Sequence, residues 1–390
     1  VFKFFKMCYF CTLAYAGGGA TASGSKFTYT AKDFGKLSVK PLHLDLLLDF
    51  GAADVNSLTV GTYIYNGCLD QEHPNTPLTT IILDQDKLDV KSVEIILNNQ
   101  ENTLFKPASL SLIENDWVAH RNQFEGVPMT EGEEKSWSND GKLKFTTVEF
   151  SVDNVKQQLQ IKLPDGQAIQ PGQQFIIRTS TFAYPNENDL LGIYPDLTPP
   201  GCPTTFISQC QQYGFRKIAP TIDQMPSKCA YTTTIIADGR YTSVLSAGDF
   251  APGFSTVNPV TQLLEPIYQN PSSHFPRNGD GGSRGDYKIR KVLRYHNFQL
   301  MATYLFFIGV GTYLQYSRDV EYPLHVDDPV NVQRKEQGLG PLDNRAFRID
   351  LIVQPDLFTH KNCVEKLKMI EEAIIWVYVN GPSNATCKHH

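Results

Sequence analysis

Leu44, Leu46, Leu48 and Phe50 alternate with His43, Asp45, Leu47 and Asp49. A period of two predicts a strand with one face buried and the other mostly wet. Ser57 to Tyr65 reads as a second strand, rich in Thr, Val, Tyr and Ile, and Thr79 to Leu83 and Ser92 to Leu97 follow, separated by the turn formers Asp84, Asp86 and Asp89. Asn139-Asp140-Gly141 is a tight hairpin signal ahead of an alternating run from Leu143 to Phe150. Val155 to Leu163 alternates again and stops at Pro164-Asp165-Gly166. Phe175 to Thr181, Tyr231 to Ala237 and the apolar run Leu305 to Val310 complete the predicted strands. Many short strands between Gly, Pro, Asn and Asp turns predict a mainly β fold, an antiparallel sandwich or layered saddle.

Two segments read as irregular. Residues 183–204 carry Pro185, Pro195, Pro199, Pro200 and Pro203, and residues 269–289 carry Pro271, Pro276 and the cluster Gly279-Asp280-Gly281-Gly282. Arg284-Gly285-Asp286 is read as a solvated turn, and Asp280 and Asp286 lack calcium-loop spacing. Toward the C-terminus Phe347, Ile349, Leu351 and Val353 predict a strand, broken at Pro355-Asp356. Val364, Leu367, Ile370, Ile374 and Val377 then recur every three or four residues, which predicts a helix over 362–379 with Thr359 near its N-cap. One strand and one helix do not bury such a stripe alone, so further structure or a protein partner covering 346–380 is expected.

Composition agrees with a folded β protein. The 390 residues are 41% hydrophobic and only 19% charged, with 28 Gly and 24 Pro. A net charge of −6 gives no electrostatic footprint for nucleic acid or anionic membrane. No apolar run reaches the roughly 18 residues of a membrane-spanning helix. Eight cysteines scattered along the chain do not form a disulfide framework, and buried thiols in a reducing, cytoplasmic setting are expected. Secretion would follow instead if residues 1–16, with Lys3, Lys6, the stretch Met7 to Ala16 and Ala14-Tyr15-Ala16, act as a signal. Cys8-Tyr9-Phe10-Cys11 lacks a second cysteine pair at metal-ligand spacing, and Asn384-Ala385-Thr386 is the one glycosylation sequon.

Ser208-Gln209-Cys210-Gln211-Gln212-Tyr213-Gly214-Phe215-Arg216-Lys217-Ile218, with Asp223 following, resembles a segment of aminopeptidase N-type zinc metallopeptidases. There a Gln-x-Glu pair precedes Gly-Phe-Arg and an aspartate. Tyr231 to Asp238 with Tyr241 to Gly248, and Met301 to Gly311, are similar to the β segments that come next in that family; His43 to Leu46 and Ile82 to Asp84 fit its first strands. The resemblance covers roughly residues 27–380. It implies a leader over 1–26, a saddle-like N-terminal β domain over 27–322, a linker over 323–345, the strand and helix that begin a thermolysin-like catalytic domain over 346–380, and a tail over 381–390.

The family's reaction needs a zinc-bound water, with two histidines one helical turn apart and a glutamate beside them. None of the nine histidines here is followed by glutamate, and no two stand four apart; Gly-x-Met-Glu-Asn is absent, and Glu371 and Glu372 have no histidine at ligand spacing. The chain is therefore expected to hold no cofactor and no catalytic residue, zinc belonging to a downstream catalytic domain. The resemblance implies that Gln209 and Gln211 help bind the free α-amino group of a peptide substrate. A carboxylate suits an ammonium, but position 211 holds a neutral amide. Two functions stay open: the non-catalytic N-terminal portion of a zinc aminopeptidase-like protein, or an inactive binding or scaffold subunit of a larger complex.

Overall fold

The computed structural model describes residues 39–51, 54–65, 77–97, 145–250, 255–257, 264–269, 290–324, 326, 329–355 and 360–380. The leader, Asn139-Asp140-Gly141, Arg284-Gly285-Asp286, Thr359 and the terminal tail lie outside them. In chain order the strands are β1 (Val39–Phe50), β2 (Val55–Tyr65), β3 (Thr80–Asp84), β4 (Asp89–Leu97), β5 (Thr146–Thr147), β6 (Glu149–Asp153), β7 (Gln158–Lys162), β8 (Gln174–Ala183), β9 (Gly192–Asp196) and β10 (Thr205–Gln209). They continue as β11 (Lys228–Asp238), β12 (Ser243–Ser246), β13 (Asp249–Phe250), β14 (Ser255–Val257), β15 (Leu264–Gln269), β16 (Arg290–Ala302), β17 (Ile308–Gly311), β18 (Leu314–Pro323) and β19 (Asn344–Val353). Helix α1 (Pro329–Glu336) lies between the last two strands and helix α2 (His360–Asn380) follows them.

The fold is mainly β, as the alternation requires. One large sheet runs β14-β15-β16-β11-β1-β2-β8-β4-β5, with β13 pairing β16 off that path. Beside it stand a four-stranded sheet β12-β17-β10-β9, a three-stranded sheet β3-β7-β6 and the pair β18-β19. Among the described residues, strand pairing is antiparallel except for β1 with β11.

A shared core joins the first three sheets. Leu44, Leu46 and Leu48 of β1 meet Tyr231 and Ile235 of β11, Ile81, Leu83, Leu159 and Ile161 of the three-stranded sheet, and Phe206, Val244, Ile308 and Val310 of the four-stranded one. Full burial of each such side chain contributes about 1.5–3 kcal/mol. The large sheet corrects one expectation. The polar face of β1 is not wet: His43, Asp45 and Asp49 are 3%, 1% and 0% exposed. β1 lies between β2 and β11 with side chains buried on both faces, so its alternation marks two kinds of burial rather than inside and outside.

Three boundaries also differ from the sequence pattern. Residues 192–196 form a strand within the proline-rich stretch; β9 is a sheet edge, where Pro195 costs no ladder bond. The run Val155 to Leu163 becomes a turn and then β7, because Asp153 Oδ1 accepts from the Val155 and Lys156 N–H groups at 3.0 and 2.9 Å. Leu305 closes a 3-10 turn and is 54% exposed, so β17 begins only at Ile308.

The C-terminal strand and helix form as predicted. β19 pairs along its length with β18, and α2 packs on that pair with Cys363 and Leu367 buried. Val364 and Ile370 of the apolar stripe remain 44% and 36% exposed. Among the described residues no helix is long and apolar enough to cross a membrane.

Candidate functional site

Gln209 ends β10, and Gln211 lies in the tight turn that follows; both are half-buried. The structure thus brings the two sequence-predicted site residues together. The turn is closed by Gly214 N–H donating to the Cys210 carbonyl at 2.9 Å, with Tyr213 in the left-handed region at φ 64°. Gly214 is required there: a Cβ would meet the Gln209 carbonyl oxygen at 2.3 Å and the Cys210 Cα at 2.9 Å. Gln209 Oε1 accepts from the Gln211 backbone N–H at 3.0 Å, which fixes the Gln209 amide plane and leaves its NH2 group for other partners. No protein hydrogen bond holds the Gln211 side chain among the described residues.

A buried ionic latch carries this turn. Phe215, Arg216 and Lys217 form a 3-10 turn directly after it. Phe215 sits edge-on to Phe306 at 5.0 Å and to Tyr231 at 6.2 Å between ring centroids. Arg216, 2% exposed, donates from Nε to Asp223 Oδ2 at 3.2 Å and from Nη2 to the Asp223 carbonyl at 3.1 Å, and its guanidinium stands 3.6 Å from Asp84 Oδ2. Asp223 also accepts from the Arg216 N–H at 3.1 Å and from Thr303 Oγ1 at 2.6 Å, while its own N–H donates to Asp84 Oδ2 at 2.9 Å. Burial pushes the Asp84 carboxyl up, and the Arg216 charge pulls against it. Lys217 adds an outer clasp, donating to Asp189 at 2.5 Å and pairing with Asp86 at 3.2 Å. The Gly-Phe-Arg…Asp part of the motif is therefore structural: it fastens the turn to the β3 end of the three-stranded sheet.

The face beside Gln209 is mixed, with the Lys217 side chain over Gly192 and apolar and aromatic side chains farther along. β10 pairs with β9 so that Gln209 faces Gly192 and Ile207 faces Tyr194, and it pairs with β17 so that Ile207 faces Gly309. The two glycines of β17 are roofed by aromatic rings. A Cβ on Gly309 would touch Phe307 at 3.1 Å, and one on Gly311 would touch Tyr313 at 2.7 Å. Ile207, Tyr194, Phe307 and Tyr313 are all half-buried, forming a strip with the Gln turn at one end. Sequence reasoning missed this strip, because it is assembled from three strands and two glycines whose partners lie about 100 residues away.

A second polar cluster lies on the other face of the large sheet. His43 Nε2 and Thr232 Oγ1 are 2.9 Å apart, and Thr232 Oγ1 and His296 Nδ1 3.1 Å. Burial, and then the Arg294 charge, lowers the His43 pKa to about 4. Among the described residues, no group of three or more His, Cys, Asp and Glu side chains stands together at ligand distance.

No family model matches this sequence, and no curated protein matches it. Among solved structures, the crystal structure of Legionella pneumophila aminopeptidase A in complex with aspartic acid aligns with 90% of this chain at a TM-score of 0.51 and 17% identity. The chain spans 28% of that protein's length. The likeness is one of fold alone.

Proposed function

We propose that this chain is the non-catalytic N-terminal portion of a zinc aminopeptidase-like protein, whose Gln209–Gln211 turn helps hold the N-terminus of a peptide that a zinc domain outside this sequence shortens. The single observation that carries the reading is the half-exposed Gln turn, held by the buried Arg216–Asp223 latch at the end of the aromatic strip. A recognition turn must be rigid while its side chains stay reachable, and this one is both. The aminopeptidase fold likeness supports the same reading. The neutral Gln211 favours a second reading, an inactive binding or scaffold subunit that keeps the turn without its charge.

Titration of the chain with an alanyl dipeptide amide and with its N-acetylated form, followed by backbone NMR shifts, separates the two. The recognition reading expects shifts confined to residues 207–214 for the free amine, and tighter binding by about tenfold or more in Gln211→Glu, as for a hydrogen bond to a charged group. Absence of binding to either peptide in both proteins would leave the scaffold reading standing.

A further inference from the structure

The aromatic strip has a second end, away from the Gln turn, and polar groups gather there. Thr205 stands directly opposite Asp196 in the pairing of β10 with β9, and Tyr194 lies two residues before Asp196 on the same face. A Cβ on Gly311 would lie 3.0 Å from Thr205 Oγ1 and 2.7 Å from Tyr313 Cε2, so that hydroxyl and that ring stand together over one glycine. Burial, and after it the Asp196 charge, holds the Tyr194 and Tyr313 phenols above their usual range, and Tyr194 adds to the effect on Tyr313. A carboxylate and a hydroxyl thus lie between two phenol rings, with Tyr194, Asp196 and Tyr313 all half-buried.

The protein leaves both polar groups underused. The Asp196 carboxylate accepts one hydrogen bond, at Oδ2 from Gln354 Nε2 at 2.8 Å, and among the described residues no Lys, Arg or His pairs with it. Thr205 is 1% exposed and its Oγ1 has no partner among the described residues. A partly buried carboxylate without a countercharge is a site that a cation stabilises, and phenol faces attract a cation through the ring quadrupole. A guanidinium suits this place better than an ammonium. It is more weakly hydrated, its plane stacks on rings, and its fork offers several N–H groups; Thr205 Oγ1 is the acceptor nearest Asp196 for a second one. The strip is an open sheet face rather than a closed cavity, which suits a side chain carried on a longer chain. We propose that the Tyr194–Asp196–Tyr313 end of the strip is a subsite for the guanidinium of an arginine side chain in a polypeptide, with Asp196 Oδ1 taking its charge and the two phenol rings its faces. The subsite does not depend on what the Gln turn binds.

NMR titration of the full chain tests this with probes whose α-amine is blocked: the N-acetyl N-methylamides of arginine, lysine and citrulline. Citrulline keeps the planar shape and loses the charge. At millimolar concentration the arginine probe should shift backbone signals at 193–197, 204–206 and 311–313. It should bind about threefold tighter than the lysine probe and about tenfold tighter than the citrulline probe. Asp196→Asn, which keeps an acceptor for Gln354, should weaken the arginine probe about tenfold. Tyr194→Leu should weaken it about threefold, while Tyr194→Phe, which keeps the ring, should match the wild type. Equal binding of arginine and citrulline, unchanged affinity in Asp196→Asn, or shifts confined to other residues would overturn the subsite. Lysine binding as tightly as arginine would overturn the guanidinium, and free arginine binding tighter than its blocked form would overturn the polypeptide source. The blocked probes carry no free α-amine, so their failure leaves the Gln turn reading untouched. Absence of shifts at 207–214 with the free-amine dipeptide leaves this subsite untouched in turn.

Discussion

Replacing Asp223 by alanine removes the centre of the latch. In the native chain its Oδ2 takes the Arg216 Nε and N–H, and its Oδ1 takes the Thr303 hydroxyl. Alanine leaves Arg216, 2% exposed, with Asp84 at 3.6 Å as its nearest carboxylate, and strips Thr303 of its acceptor. Breaking a buried ion pair from one side costs about 3–5 kcal/mol, because the surviving charge stays desolvated. Asp84 offsets part of this, so the expected loss is about 3 kcal/mol. Arg216→Met alone should cost less, since Asp84, already pushed up by burial, is able to take up a proton. The double variant Arg216→Met/Asp223→Ala should be more stable than the two single losses added together, by about 1 kcal/mol or more. Urea unfolding of the four proteins, compared at constant denaturant slope, gives the cycle. Additive losses, or a loss under about 1 kcal/mol in Asp223→Ala, would refute the idea that the latch works as one buried ionic unit.

Other outcomes follow from single features. His43 has a folded pKa near 4 against 6.5 when free, so the folded chain resists a proton that the unfolded chain takes up. Its contribution to stability is complete above pH 6.5 and is lost as pH falls toward 4, a total of roughly 3 kcal/mol that His43→Gln should remove from the pH profile of urea midpoints. Gly214→Ala should cost about 2 kcal/mol or more, since its Cβ strikes the Gln209 and Cys210 backbone, while Gly340→Ala, with nothing within 4 Å, should be neutral by thermal melting. The isolated chain should carry no stoichiometric zinc and release no arylamine from aminoacyl-arylamides; one tightly held zinc per chain with chelator-sensitive hydrolysis would overturn that expectation.

Much of the fold was legible as period-two alternation. β1, β2, β8 and β11 pack side chains on alternate faces of a pleated sheet, and the C-terminal helix showed through its spacing of three and four. The alternation of β1 was misleading about solvent, because a local pattern records which face a side chain takes but not what covers that face. β16 went unread for the same reason. Its Leu293 and Tyr295 enter the core while Arg294, 1% exposed, is buried on the other side, so charge in the sequence masked a central strand. The Gln209–Gln211 turn could be found because its two glutamines, its glycine and its arginine are neighbours in sequence. The aromatic strip, the Asp84 arm of the latch and the Asp196–Gln354 hydrogen bond could not. Each joins residues between roughly 100 and 160 positions apart, and only the closure of the sheets on one another brings such groups to hydrogen-bonding distance. Composition and periodicity determine which surfaces seek burial; the pairing of particular partners across that burial is decided by the tertiary fold.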